Sequence, residues 1–220
     1  MKKILMIFVF ILIVAGCGSK QIPAWKNAAY DQLEDFKTNY LIGRDYVAEL
    51  HFHKAIEEIK KSGDLDLLAI AYLTKYALAV AVLEDFDDGE YLKIDAAHSV
   101  PEHQSFRSFL AGELHRVDRK LLPAHYRSVF AAYRSGNSSS VAEEISKMRE
   151  PLSTLVAAGF LVRQDACEEE CLKVAIETAS QKGWKKAVLA YLEELWAFYE
   201  INNEDEKAEM TRQKIELLSR

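Results

Sequence analysis

The sequence predicts an all-α fold, and three observations carry that expectation. Helix breakers are scarce, with 9 Gly and 4 Pro in 220 residues. Apolar residues recur at three- and four-residue spacing along most of the chain, the period of a helix buried on one side. No stretch alternates apolar and polar residues as a half-buried strand would. A chain that is 50% hydrophobic is too apolar for a disordered one, and 3 Cys are too few for a disulfide-built mini-protein.

The elements follow in order. A first helix spans 23–41, with Pro23 at its start. Gly43-Arg44-Asp45 reads as a turn, and Asp45 as the cap of a second helix to about Lys61. In that helix Ala48, Phe52, Ala55, Ile56 and Ile59 form one apolar stripe. Ser62-Gly63 ends it and Asp64 caps the next. The third helix, 65–85, is apolar almost all round, interrupted by Asp66, Thr74 and Lys75. It reads as a buried central helix with Lys75 reaching to the surface. A transmembrane reading would put that charge near the bilayer centre, at about 2.5–3.5 kcal/mol.

Residues 86–99 read as less regular. Asp85, Asp87, Asp88 and Glu90 gather around Gly89 without the spacing of a calcium loop, so a solvated acidic turn is expected. Pro101 opens a helix to about Asp118, and Pro123 opens one over 124–134. The loop 136–140 caps a helix to Arg149, and Pro151 starts a short one to about Leu161. Asp165 and Glu168 have capping-box spacing for a helix to Gln181, which Gly183 breaks. An amphipathic helix over 184–201 turns at Asn202-Asn203 into a last one over 204–218.

Helix pairs with short turns direct attention to repeats. Gly43, Ala48, Phe52 and Ala55 have the spacing of the inter-helix Gly, small, aromatic and small positions of a tetratricopeptide repeat. Leu195, Tyr199 and Ala208 fit the corresponding first-helix Leu, first-helix aromatic and second-helix Ala positions near the C-terminus. The chain thus resembles tetratricopeptide-repeat proteins at both ends, over about 80 residues. Arg212 and Ile215 depart from the pattern. The expected architecture is therefore antiparallel helix pairs, stacked as a tetratricopeptide-like solenoid or as an irregular helical bundle, in one domain over 24–220.

The N-terminus has a different character. Met1-Lys2-Lys3 precedes an unbroken apolar run from Ile4 to Val14, then Ala15 and Gly16, in the order of a secretory signal peptide. Val14-Ala15-Gly16-Cys17 resembles the lipobox of bacterial lipoproteins. That resemblance implies removal of residues 1–16 and lipidation of Cys17 by a diacylglycerol and an N-acyl chain. Two or three chains on one Cys make release from a membrane slow. Gly18 rather than Asp after the Cys implies, by the same family, transfer to the outer membrane. Residues 17–23 leave a tether reaching at most about 20 Å beyond the Cys. Without Lys2 and Lys3, 26 basic residues face 34 acidic ones, and the net charge of −6 becomes −8. An acidic body disfavours nucleic acid as a partner.

Candidate chemistry is sparse. Cys167 and Cys171 make an even pair in an exported chain, which favours a bridge. On a regular helix their Cβ atoms would lie about 5–6 Å apart, whereas a disulfide wants about 3.8 Å. A bridge, free thiols and a metal or redox site stay open. His98, Glu102, His103 and Glu113 are the polar groups that would have to converge if region 86–122 held a site. Their spacing matches no zinc motif, and no nucleotide-binding loop or nucleophile elbow is present. Trp184, Tyr191, Trp196 and Tyr199 fit core packing better than a peptide groove. The expectation is a lipid-anchored scaffold or adaptor on the periplasmic side of the outer membrane, with an envelope protein as partner and no catalytic, metal or cofactor residue. The competing expectation is an envelope enzyme or carrier with its site in 86–122.

Overall fold

A computed structural model describes residues 23–219. The expected leader 1–16, the expected lipidation site Cys17 and the expected tether up to Ile22 lie outside the described residues. The described chain is all-helical: α1 (Ala24–Leu41), α2 (Asp45–Lys60), α3 (Leu65–Ala81), α4 (Gly89–Ala97), α5 (Pro101–Leu110), α6 (Arg127–Arg134), α7 (Ser138–Ser146), α8 (Pro151–Val162), α9 (Glu169–Lys182), α10 (Lys185–Ile201) and α11 (Asp205–Ser219). Short 3-10 turns at Leu114–Arg116 and Ala124–Tyr126 join α5 to α6. Among the described residues no helix is long and apolar enough to cross a membrane.

The elements pack on one continuous core. Its centre is the contact of α3 with α8. Both helices lack a polar face, and in α8 every residue from Ser153 to Leu161 is buried. Gly159 sets their distance: a Cβ there would run into the Val80 carbonyl, so only glycine lets the two backbones come together. Around this centre α1 and α2 form one antiparallel pair, and α9, α10 and α11 form a run of antiparallel neighbours. The buried Tyr191 hydroxyl of α10 donates 2.8 Å to the Leu155 carbonyl, tying that run to α8.

The two ends of the chain also meet. Lys186, beside the start of α10, pairs with Asp45 and Glu84, each at 2.8 Å, and Gly43 packs on its side chain. In a solenoid each unit touches only its neighbours. Here α3 meets α8 and α1 meets α10, so repeat-type pairs at the two ends flank an irregular bundle.

Several boundaries differ from expectation, each for a physical reason. Asp64 does cap α3, accepting the Leu67 N–H at 3.0 Å. Asp45 does not cap α2: it is the first helical residue, and its carboxylate turns to Lys186. The third helix ends at Ala81, not Asp85, because Leu83 takes a left-handed conformation (φ 62°) and the Glu84 N–H folds back to the Ala79 carbonyl. The acidic segment leads into a helix, α4, whose Tyr91 and Ile94 are buried. Gly112 (φ 73°) stops α5 well before Asp118. Asn137, not a serine, caps α7, accepting the Ser140 N–H at 3.2 Å, and α7 ends at Ser146.

The capping box at Asp165 does not form. Asp165 is the left-handed residue (φ 51°) that closes α8, with the Ala166 N–H on the Leu161 carbonyl. α9 therefore starts only at Glu169. That delay frees Cys167 from helical geometry, its Cα lies 5.2 Å from that of Cys171, and the two form a disulfide.

A candidate binding cleft between α1, α3 and the 84–90 loop

One face of α3 carries Tyr72, Lys75, Tyr76 and Ala79, at i, i+3, i+4 and i+7. Tyr76 and Ala79 are buried, and Tyr72 and Lys75 are part-exposed. Tyr40 at the end of α1 and the loop leading into α4 stand around this stripe, enclosing a cleft of about 360 Å³. Phe86 from the loop stacks on Tyr76, centroids 4.8 Å apart and planes 12° apart. Asp85, Asp87 and Glu90 edge the opening.

The loop is fastened from several sides. Arg163, at the end of α8, donates to the Glu84 carbonyl, lies 3.4 Å from Asp85 and sits over the Phe86 ring at 5.7 Å. The Tyr40 hydroxyl donates to Glu84. Lys186 lies 4.1 Å from the Tyr40 ring centroid. Lys75 is held by Glu49 and covers the Phe52 ring at 4.6 Å. The protein thus places its own cations on these aromatic faces three times. Asp87 differs from its acidic neighbours. Among the described residues its carboxylate accepts only the Gly89 N–H, at 2.9 Å. Glu90 has Lys93 at 2.5 Å.

All three phenols are harder to ionise than a free tyrosine. Burial and then the hydrogen bond to Glu84 push Tyr40 up. Burial and then Glu90 push Tyr72 up. Burial, with smaller contributions from Asp88 and Asp87, pushes Tyr76 up to about 12 despite the opposing Tyr91 N–H. The rings therefore stay neutral, and negative charge at the cleft comes from carboxylates alone.

The sequence-derived candidates are scattered by comparison. His98 is exposed at the end of α4. Glu113 is paired with Arg107 at 2.6 Å and Arg116 at 3.5 Å. Glu102 and His103 border a second cleft, about 410 Å³, with Phe106, Leu73 and Leu122 as apolar wall. His103 also lies 3.7 Å from Asp66. The four groups do not converge, and no cluster among the described residues has the make-up of a metal site. The acidic turn splits up: Asp88 binds the half-buried Arg107 and Asp87 caps its own loop. Tyr191 and Tyr199 are core residues, whereas Trp196 is partly exposed with its indole N–H on Glu200 at 3.2 Å. The tyrosine stripe was missed in the sequence because Tyr counts as apolar in a helix that is apolar all round. Its signal was the recurrence of Tyr72, Lys75 and Tyr76 on one face, away from Ile70, Leu73 and Thr74.

No known protein family, curated protein or solved structure matches the chain.

Proposed function

We propose that this protein is a lipid-anchored adaptor, held at the outer membrane through diacylglycerol and N-acyl chains on Cys17, with its helical body on the periplasmic side binding an envelope protein. The carrying observation is the place of the aromatic, acid-edged cleft. The anchor residue lies seven residues before Ala24. Tyr40 lies 16 residues further along α1, about 24 Å of helix rise. An opening on the tethered body at that remove from the anchor supports a protein partner as its occupant.

Radiolabelled palmitate and envelope fractionation test the anchor. The native chain takes up label and sediments with outer membranes, and Cys17→Ser does neither. Cross-linking of the lipidated chain in its native envelope, followed by capture, tests the adaptor role. A defined partner supports it, and recovery of none counts against it. A second reading, a carrier of an apolar envelope molecule, draws on the cleft beside Phe106 and Leu73. Displacement of a fluorescent fatty acid from that cleft, lost in Phe106→Ala, would favour it.

A further inference from the structure

We propose that the cleft between α1, α3 and the 84–90 loop takes one basic side chain, an arginine or lysine, presented by the partner protein. This deepens the adaptor reading and rests on it. Three features of the cleft select that chemistry. Its wall carries the part-exposed ring of Tyr72, next to the stacked pair of Tyr76 and Phe86. Cations are drawn to such faces by the ring quadrupole, more strongly where water is partly excluded. The carboxylates at its edge are not all consumed. Lys75 is neutralised by Glu49, Arg163 faces Asp85, and Lys93 faces Glu90, which leaves Asp87, among the described residues, with only a backbone N–H.

The third feature is the protein's own precedent. Lys186 over Tyr40, Lys75 over Phe52 and Arg163 over Phe86 each combine a ring with a carboxylate partner. Lys75 also lines the cleft but is turned to Glu49 and the Phe52 ring, so among the described residues no cation sits over the Tyr72 ring beside the acidic edge. An anionic or purely apolar group would meet the carboxylate edge with nothing to compensate it. The long-range field agrees: the body is acidic, so a basic partner is attracted from a distance and more so at low salt.

The probe is a blocked pentapeptide, acetyl-Gly-Gly-Arg-Gly-Gly-amide, and its citrulline counterpart, which keeps the shape and removes the charge. Calorimetric titration uses the full lipidated chain in non-ionic detergent micelles. The arginine peptide is expected to bind at least ten times more tightly than the citrulline peptide. Asp87→Asn, which can still accept the Gly89 N–H, should weaken the arginine peptide at least threefold. Tyr72→Leu should do the same with the helical circular dichroism intact, and Arg212→Ala on α11 should change nothing. Equal affinity for the two peptides, no binding at millimolar concentration, or indifference to Asp87→Asn would overturn the proposal. The adaptor reading fails separately, when envelope cross-linking yields no partner. A partner captured through another face, with the peptides not binding, rejects this inference and leaves that reading standing.

Discussion

The pair α1–α2 and the pair α10–α11 each match part of the same repeat-like spacing, and only the first fills its second-helix positions. Ala48, Phe52 and Ala55 are 0%, 2% and 0% exposed, with Phe52 between Phe36 and Tyr72. At the corresponding places of the last pair, Ala208 is buried, but Arg212 is exposed and pairs with Glu209 and Glu216 on its own helix. The difference lies in what packs on each pair. α3 packs over α1 and α2, whereas α11 packs chiefly on α10. A repeat signature records the presence of a neighbour: the aromatic and small residues are required only where another helix closes the groove.

That comparison sets the order of expected effects. Phe52→Ala removes a ring from the sealed pair and should cost about 3–5 kcal/mol, read as a lower urea midpoint. If Phe52→Ala proves no worse than a surface change, the first pair is not sealed. Gly159→Ala acts at the seam between the two halves and should cost on the order of 3 kcal/mol, because the added carbon must push α8 off the Val80 carbonyl. Both pairs should lose stability together in that variant. Two separate unfolding transitions would mean that the halves are independent.

The open end relies on smaller devices. Reduction of Cys167–Cys171, or replacement of both by Ser, removes one short ring closure, worth about 2 kcal/mol. Urea unfolding with and without reductant reads this directly. Glu169 ties α9 to both of its successors, accepting the Tyr199 hydroxyl at 2.7 Å and facing Lys173 and Lys207 at 3.0 and 3.3 Å. These partners, Tyr199 first, lower its pKa from 4.5 to about 2. Because the folded value lies below the unfolded one, the contribution is complete above about pH 4.5 and fades as the pH falls toward 2. The stability gap between native chain and Glu169→Gln should therefore be present at pH 6 and shrink on acidification. A gap that widens with acid would reverse the sign. Arg212→Ala should stay within about 0.5 kcal/mol of the native chain, the smallest effect of the series.

What was legible in the sequence follows the same physics. Local signals that need no partner were read well: Asp64 as a cap, Gly43 and Gly183 as helix ends, and the stripe of α2. Signals that long-range contacts override were not. Asp45 has the chemistry of a cap, but Lys186, distant in sequence, claims its carboxylate. Asp165 and Leu83 end helices in the left-handed conformation without being glycine, which no composition rule marks. α4 went unread because Tyr91 and Ile94 bury their side chains as a short helix packed on α3 rather than along a long stripe. The cleft was hidden for a related reason. Its walls come from α1, α3 and a loop, and only packing brings Tyr40 to Tyr72 and Phe86.

The sharpest test sets the two regions against each other in the living cell. A photoreactive phenylalanine is placed at position 72 in the cleft or at position 212 on α11, in the otherwise native chain. The account predicts a cross-link from position 72 onto an arginine- or lysine-bearing segment of a partner, and none from position 212. Cross-links from 212 with none from 72 would contradict it.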